Sequence, residues 1–255
     1  VDVSGANGTL WMDRNLGAEQ IATGDPFDDF LAIGDKYQWG RSGDGHQCFD
    51  AEIYTTILDG VGVPNFNATG NEWEGQFIAR NSGANNWLNP SVQDADNLWD
   101  GVNGINNPCP TDFRVPTQAE WQAEIDSWTT ADASGALGSD LKLIGSGFTD
   151  RQGTKEVDFD FDNGYYWTSA VDGSGAVALE FTNGSASFTT NTERAQGYSV
   201  RCIRDGLPPN ITLEAISNYD IVSVNDNDYL DGNGDFPNNT TAAQLPGTTD
   251  DTADG

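Results

Sequence analysis

The chain has 255 residues, a length that suits one large domain or one domain with an appendage. Its formal net charge at pH 7 is −29. A surface this acidic repels phosphate groups, so we expect no binding to nucleic acid and no attraction to anionic membranes. The sequence contains no apolar run of about 18 residues, and membrane insertion is therefore not expected.

Two short elements are predicted near the start of the chain. Leu10–Met12 is an apolar stretch that predicts a strand running into a turn. Residues 25–34 predict a short helix. Asp25 suits its N-cap and Pro26 its first helical position, while Gly34 suits a left-handed residue that ends it.

Residues 41–108 predict a long region of loops, because Gly, Asn and Asp recur throughout them. Tryptophan has a large apolar surface, and lone tryptophans in loops more often pin those loops to a core than bind a ligand. We therefore expect anchoring roles for Trp73, Trp87 and Trp99.

The clearest helix is predicted at 118–129. Thr117 and Glu120 have the spacing of a capping box, in which each residue's side chain bonds to the other's backbone N–H group. Apolar residues then recur at i, i+4 and i+7, which predicts one stripe packed against the core. That stripe consists of Trp121, Ile125 and Trp128.

From residue 156 onward the apolar residues recur every second position, which is typical of strands. Residues 157–161 and 165–170 flank Asn163–Gly164, and this pattern predicts a β-hairpin with a type I′ turn. Phenylalanines alternate with aspartates in the first of these strands. The aspartates expected on its outer face are Asp158, Asp160 and Asp162.

A second hairpin is predicted between residues 176–181 and 185–190, across Asn183–Gly184. Residues 198–204 predict a last strand that carries Cys202. The predicted elements form a meander of about five antiparallel strands preceded by helices. This order indicates an α+β fold with one or two helices and long loops.

Pro208–Pro209 interrupts the chain, and the amino-acid composition changes after it. The sequence therefore predicts a folded domain over residues 1–206. Alternation within 211–224 predicts one or two strands, so residues 207–240 are expected to form a short β-rich extension. Residues 241–255 have the acidic, low-complexity composition of a tail or linker.

The excess of Asp leaves two explanations open. It forms either a solvating surface suited to high salt or a set of Ca²⁺ sites, since hard cations take oxygen ligands. The densest oxygen cluster predicts a Ca²⁺ site, with an acidic turn as the alternative. It does not match an EF-hand, because Phe236 and Ala242 stand where Gly and Glu are needed. The candidate ligands are Asp226, Asp228, Asp231, Asn233 and Asp235.

The sequence offers little for catalysis. His46 is the only histidine, and no nucleophile-elbow motif supplies a partner serine, so we expect His46 to have a structural hydrogen-bonding role. Cys48 is expected to be a buried free thiol, with an intermolecular bridge or a reactive nucleophile as alternatives.

Five short islands in a fixed order resemble the Fibrobacter succinogenes major paralogous domain family. They are LWMDRNLGA at 10–18, GDKYQWG at 34–40, CPTDFRVPTQAEW at 109–121, YYWTSA at 165–170 and SVRCIRD at 199–205. The resemblance implies a fold like that of C-type lectins and formylglycine-generating enzymes, on a bacterial secreted or surface protein. It also implies a disulfide between Cys109 and Cys202, which fits an extracytoplasmic location.

These observations favour a non-enzymatic adhesion or ligand-recognition module at the cell surface, with a surface glycan or a protein as ligand. One alternative is a structural subunit that self-associates into a surface filament, sheath or virion fibre. Another is an enzyme of the formylglycine-generating type, which would need free thiols at both Cys109 and Cys202.

Overall fold

The computed structural model describes residues 2–24, 29–57, 60–81, 86–157 and 161–205. Within these ranges the chain is mostly β-strand, in antiparallel sheets, with two α-helices. The strands are β1 (Asp2–Ser4), β2 (Leu10–Met12), β3 (Tyr37–Gln38), β4 (Ile53–Tyr54), β5 (Phe77–Ile78), β6 (Phe113–Arg114), β7 (Phe148–Thr149), β8 (Lys155–Glu156), β9 (Gly164–Asp172), β10 (Gly175–Phe181), β11 (Ala186–Thr192), β12 (Gly197–Tyr198) and β13 (Ile203–Arg204). The α-helices are α1 (Gln118–Ser127) and α2 (Ala133–Gly138), and 3₁₀ helices cover Ala6–Gly8 and Asp29–Ala32.

The strands of the described ranges form three antiparallel sheets and one parallel pair. The sheet orders are β1-β2-β13-β6, β11-β10-β9 and β3-β12-β7-β8, and β4 pairs in parallel with β5. The last two described strands therefore pair with strands near the start of the chain: β13 lies beside β2, and β12 lies beside β3. This arrangement confirms the predicted antiparallel pairing and is compatible with the α+β class. The predicted order, with helices before the strands, is wrong, because strands β1 to β6 precede α1.

The longest sheet confirms the second predicted hairpin. Phe181 pairs with Ala186, and the backbone N–H of Thr182 donates to the carbonyl of Ser185 across the connecting loop. Almost every residue of β10 is buried, because helix α1 covers the sheet. The apolar stripe of α1 packs here as predicted, with Trp121 fully buried and Ile125 and Trp128 nearly so.

The type I′ turn of the first predicted hairpin is wrong. β9 pairs with β10, which follows it, and of the predicted first strand, residues 157–161, only Val157 and Phe161 are described. Neither Asn163 nor Gly164 has the positive φ that a type I′ turn requires. Gly164 is needed for packing instead, since a Cβ atom there would lie 2.2 Å from the Phe181 ring.

The predicted last strand is divided in two. Gly197–Tyr198 pairs with β3 and β7, whereas Ile203–Arg204 pairs with β2 and β6. The chain crosses from one sheet to another between them. Cys202 lies at this crossing and is bonded to Cys109, which confirms the disulfide implied by the family resemblance.

Helix α1 confirms the capping box. Thr117 Oγ1 accepts from the Glu120 backbone N–H, and the Glu120 carboxylate accepts from the Thr117 backbone N–H at 2.8 Å. The helix ends at Ser127, two residues before the predicted end. The predicted helix at 25–34 is reduced, in its described part, to the single 3₁₀ turn Asp29–Ala32. Its Phe30 and Leu31 side chains are exposed, so this turn buries no apolar stripe that would extend a helix.

Residues 41–108 are mostly loops, as predicted, but they enclose an apolar cluster of their own. Trp73 and Trp87 are buried in it beside Ile78 and Leu88. The Trp87 Nε1–H donates to the Trp39 carbonyl at 2.7 Å, which fastens the loop to the segment after β3. The anchoring roles of these loop tryptophans are therefore confirmed.

Several predictions fall on residues outside the described ranges. They concern the N-cap Asp25 with Pro26, the aspartates Asp158 and Asp160, and the whole of 207–255. The last stretch holds the predicted β-rich extension, the acidic tail and every candidate Ca²⁺ ligand. Gly34 is described, and its φ of 71° is the left-handed conformation expected of it.

Candidate functional site

A cavity of about 210 Å³ opens beside the start of strand β3. Its walls come from the 3₁₀ turn at Asp29–Ala32, the loop that follows β3, and strands β5, β7 and β8. Phe77 and Phe148 form apolar walls of this cavity. Phe148 is held in place by edge contacts with the rings of Tyr165 and Tyr198.

The mouth of the cavity is unusually apolar for so acidic a chain. Phe30, Leu31 and Phe49 line it with 52%, 46% and 64% of their surfaces exposed. The Lys155 ammonium lies 5.6 Å from the centre of the Phe49 ring, in cation–π distance. Three large apolar side chains left in water around one cavity favour a binding surface over a chance distribution.

Lys36 lies in the cavity wall and bonds to two serines. Its Nζ atom is 2.9 Å from the Oγ atom of Ser146 and 3.0 Å from that of Ser199. The two serine oxygens are 3.2 Å apart, and both serines are buried. The three polar groups therefore form a closed triangle, named here the Lys36 triad.

Sheet register explains how this triad forms. In the pairing of β3 with β12, Gly197 lies opposite Gln38 and Tyr198 lies opposite Tyr37. The next position outward brings Lys36 beside Ser199. Strand β7 lies on the other side of β12, and Ser146 precedes it by two residues.

Burial lowers the pKa of Lys36 to about 7, because desolvation penalises the ammonium form, and the nearby Asp35 charge offsets this only in part. No carboxylate within the described ranges forms an ion pair with its Nζ atom. Burial likewise raises the pKa of Asp35, against the charge of Lys36 and a hydrogen bond from Gln47. Lys36 as a whole is half-buried, and its Nζ atom has two buried serine hydroxyls as partners in place of a carboxylate.

The remaining titratable side chains around the cavity are mixed in charge. Lys155 and Glu156 lie in strand β8, and Glu19 lies in the loop after β2. Cys48 is a free thiol, as expected, but it is only half-buried and not buried as predicted. Its pKa is raised by burial and by the nearby carboxylates, Asp35 foremost, which disfavours a reactive thiolate.

His46 lines the back of the cavity in a rigid network. Its Nδ1 atom is 2.6 Å from Asp44 Oδ1, and its Nε2 atom accepts from the Gln38 backbone N–H at 3.1 Å. Asp44 also binds the buried Arg41 guanidinium at 2.5 Å. The Gln38 contact needs a free lone pair on Nε2, so the neutral imidazole is the form that fits. The expected structural role of His46 is confirmed.

Burial and the charge of Arg41 lower the pKa of His46 to about 4, although Asp44 opposes them. Burial raises the pKa of Asp44, but the hydrogen bond from His46 and the charges of His46 and Arg41 outweigh it and hold that pKa at about 2. Near pH 7 the network therefore contains an ionised Asp44 and a neutral His46. These protonation states keep the hydrogen bonds in place, so this side of the cavity is a rigid wall.

The arrangement provides a largely apolar chamber in which the Lys36 amine is bonded to two hydroxyls, a combination suited to binding an uncharged or weakly polar group. Within the described ranges, no three His, Cys, Asp or Glu side chains come together in a way that would hold a metal ion. The predicted Ca²⁺ ligands from Asp226 to Asp235 lie outside these ranges.

Sequence reasoning missed the Lys36 triad. Lys36 belongs to the GDKYQWG island and Ser199 to the SVRCIRD island, but nothing in either pattern marks them as neighbours. One signal was available: the chain has three lysines, at 36, 142 and 155, and two of them line this cavity.

Comparison with protein-family models, with curated proteins and with solved structures gives no match for this chain. In the part of the chain that the structure describes, no helix has the length and apolar character needed to cross a membrane.

Proposed function

We propose that this chain is an extracytoplasmic, non-enzymatic recognition domain with a C-type-lectin-like fold, akin to the major paralogous domain family. It binds the apolar part of a surface glycan or protein ligand in the cavity beside Lys36. The observation that carries this proposal is the exposure of Phe30, Leu31 and Phe49 around one cavity mouth. Ligand sites are concave and mostly apolar, with a few placed polar groups, and this cavity meets that description.

The position of the cavity supports a recognition role. Its mouth comes from a short 3₁₀ turn and from the loop after β3, while its floor comes from paired strands. Loops carried on a rigid frame are where binding functions concentrate. The aromatic rings at the mouth also suit sugars, whose apolar faces stack on aromatic side chains, and the apolar side chains of a protein ligand.

The Cys109–Cys202 disulfide supports an extracytoplasmic location, since structural disulfides persist in oxidising compartments. It also weighs against the formylglycine-generating alternative, because that chemistry needs both thiols free. The disulfide occupies both sulfur atoms, and Cys48 is the one free thiol of the described ranges.

Binding of the full chain to a printed array of defined oligosaccharides and peptides tests the proposal. Phe49→Ser should abolish the strongest signals, because it removes the most exposed ring of the cavity mouth. Ile105→Ser is the matched control: Ile105 is 66% exposed and does not line the cavity. Equal loss of binding in both variants, or equal retention in both, would contradict the assignment of this cavity.

We also propose Ca²⁺ binding at the candidate ligands from Asp226 to Asp235, on the spacing of their oxygens alone. Isothermal titration of the full chain with Ca²⁺, compared with Asp231→Asn and Asp235→Asn, tests this directly. If both variants give the same heat of Ca²⁺ binding as the wild type, the site is refuted. Repeating the array with EDTA then shows whether recognition depends on the metal.

A further inference from the structure

We propose that the Lys36 amine captures small apolar aldehydes in this cavity as a reversible imine. The proposal rests on the proposed function, since it takes the cavity as a binding site and names a ligand class for it. Lys36 is the one lysine that combines a position in the cavity wall with hydrogen bonds to two buried hydroxyls.

The geometry of the Lys36 triad suits an amine that reacts in its neutral form. A serine hydroxyl both donates and accepts, so Ser146 and Ser199 satisfy the nitrogen whether or not it is protonated. A carboxylate partner would instead hold the ammonium form, and none within the described ranges forms an ion pair with Nζ. Desolvation in an apolar pocket is a recognised way to activate a lysine toward carbonyl compounds.

The lowered pKa agrees with this geometry. With a pKa of about 7, close to half of the Lys36 side chains are neutral at pH 7. An ordinary lysine with a pKa of about 10.4 is neutral in about one molecule in 2,500 at that pH. A neutral amine has a free lone pair, which the reaction needs.

The step balances without an added oxidant or reductant. The Nζ lone pair attacks the carbonyl carbon, and a carbon–nitrogen bond forms. The carbonyl oxygen then leaves as water with the two hydrogens of the neutral amine, and the imine remains. Hydrolysis reverses the step, so the capture releases the aldehyde unchanged.

The walls of the cavity select the ligand class. Phe77, Phe148 and Phe49 favour an aryl or alkyl body over a hydrated one. Glu19, Asp35 and Glu156 also line the cavity, and the chain carries a net charge of −29. Both facts disfavour an anionic ligand and leave an uncharged aldehyde as the best fit.

Reductive trapping on the full chain tests the proposal. The protein is incubated at pH 7 with benzaldehyde and sodium cyanoborohydride, and the adducts at each lysine are quantified by peptide mass spectrometry. Lys142 is exposed and lies outside the cavity, so it is the internal control. We expect Lys36 to be labelled at least about tenfold faster than Lys142, because its neutral fraction is far larger. Glycolaldehyde, a small polar aldehyde, is the second probe and should show a smaller preference for Lys36.

Labelling of Lys36 no faster than Lys142 would overturn the proposal, and an equal preference for glycolaldehyde would overturn the apolar ligand class. The imine proposal and the recognition proposal can be refuted independently of each other. Slow labelling of Lys36 together with array binding that Phe49→Ser abolishes would remove the imine and keep the recognition function. Selective labelling without any array ligand would support the imine and leave the recognition function unsupported.

Discussion

The Nζ atom of Lys36 lies 2.9 Å from the Oγ atom of Ser146, although 110 residues separate the two in the chain. The Lys36 ammonium loses hydration at this position, and no carboxylate within the described ranges forms an ion pair with it. Such an arrangement destabilises the folded state, and sites of this kind persist where function requires them.

Replacing Lys36 with Met should stabilise the protein below pH 7. The pKa of Lys36 is lowered to about 7 by burial, whereas the unfolded chain holds this proton up to a pKa near 10.4. The cost of burying the charge is therefore fully present below pH 7 and falls as pH rises from 7 to 10. The stability difference between the two proteins should shrink by up to about 1.4 kcal/mol per pH unit in that window.

Urea unfolding at several pH values measures this difference, with Lys142→Met as the exposed control. The other charged groups of the cavity are common to both proteins, so their contributions largely cancel. They are Glu19, Asp35, Lys155 and Glu156. A difference that stays constant between pH 6 and pH 10 would show that the amine is not desolvated.

Acid should destabilise the wall behind the cavity through His46. Its pKa is lowered to about 4 in the folded protein by burial and by the Arg41 charge, so the unfolded chain binds the proton first. Stability is then lost as pH falls from about 6.5 to 4, by about 3 kcal/mol in total. His46→Gln should remove this slope, and the wild type and the variant are compared by urea midpoints at each pH. Parallel pH curves for the two proteins would contradict the assignment.

Removal of the disulfide should cost about 4–5 kcal/mol of stability on the loop-entropy estimate. Cys109 and Cys202 are 93 residues apart, and an open chain gains much conformational freedom when this link is absent. The double variant Cys109→Ala/Cys202→Ala is compared with Cys48→Ala by denaturant unfolding. Cys48 is free, so its replacement should change little. A loss below about 1 kcal/mol in the double variant would argue that the unfolded chain is already restricted there.

Gly164→Ala should destabilise the sheet formed by β9, β10 and β11 by about 1–3 kcal/mol, the usual range for overpacking a core. The added methyl group would lie 2.2 Å from the ring of Phe181, which is fully buried. Gly184→Ala is the matched control, because a Cβ atom there meets nothing within 4 Å. Thermal unfolding of both variants gives the comparison. If both melt alike, the position of the Phe181 ring is not restricted.

Local signals in the sequence carried the helix and hairpin predictions that the structure confirms. The capping box of Thr117 and Glu120 defines a helix start through contacts three residues apart, which a sequence displays directly. The hairpin of β10 and β11 is local for the same reason. The type I′ turn predicted at Asn163–Gly164 failed because such a turn needs positive φ at both central residues, and neither residue has it in the folded chain.

The sequence by itself determined the acidic surface, the α+β class, the main helix and the hairpin after residue 175, since composition and short-range periodicity suffice for each. Only the tertiary structure decided which residues line the cavity. Lys36, Ser146 and Ser199 meet because β12 pairs with β3 and β7. The two Lys36 hydrogen bonds join residues 110 and 163 positions apart, and contacts of that range depend on the whole core. No local sequence pattern predicts contacts between residues so far apart, so the candidate site could be found only from the packing of the folded chain.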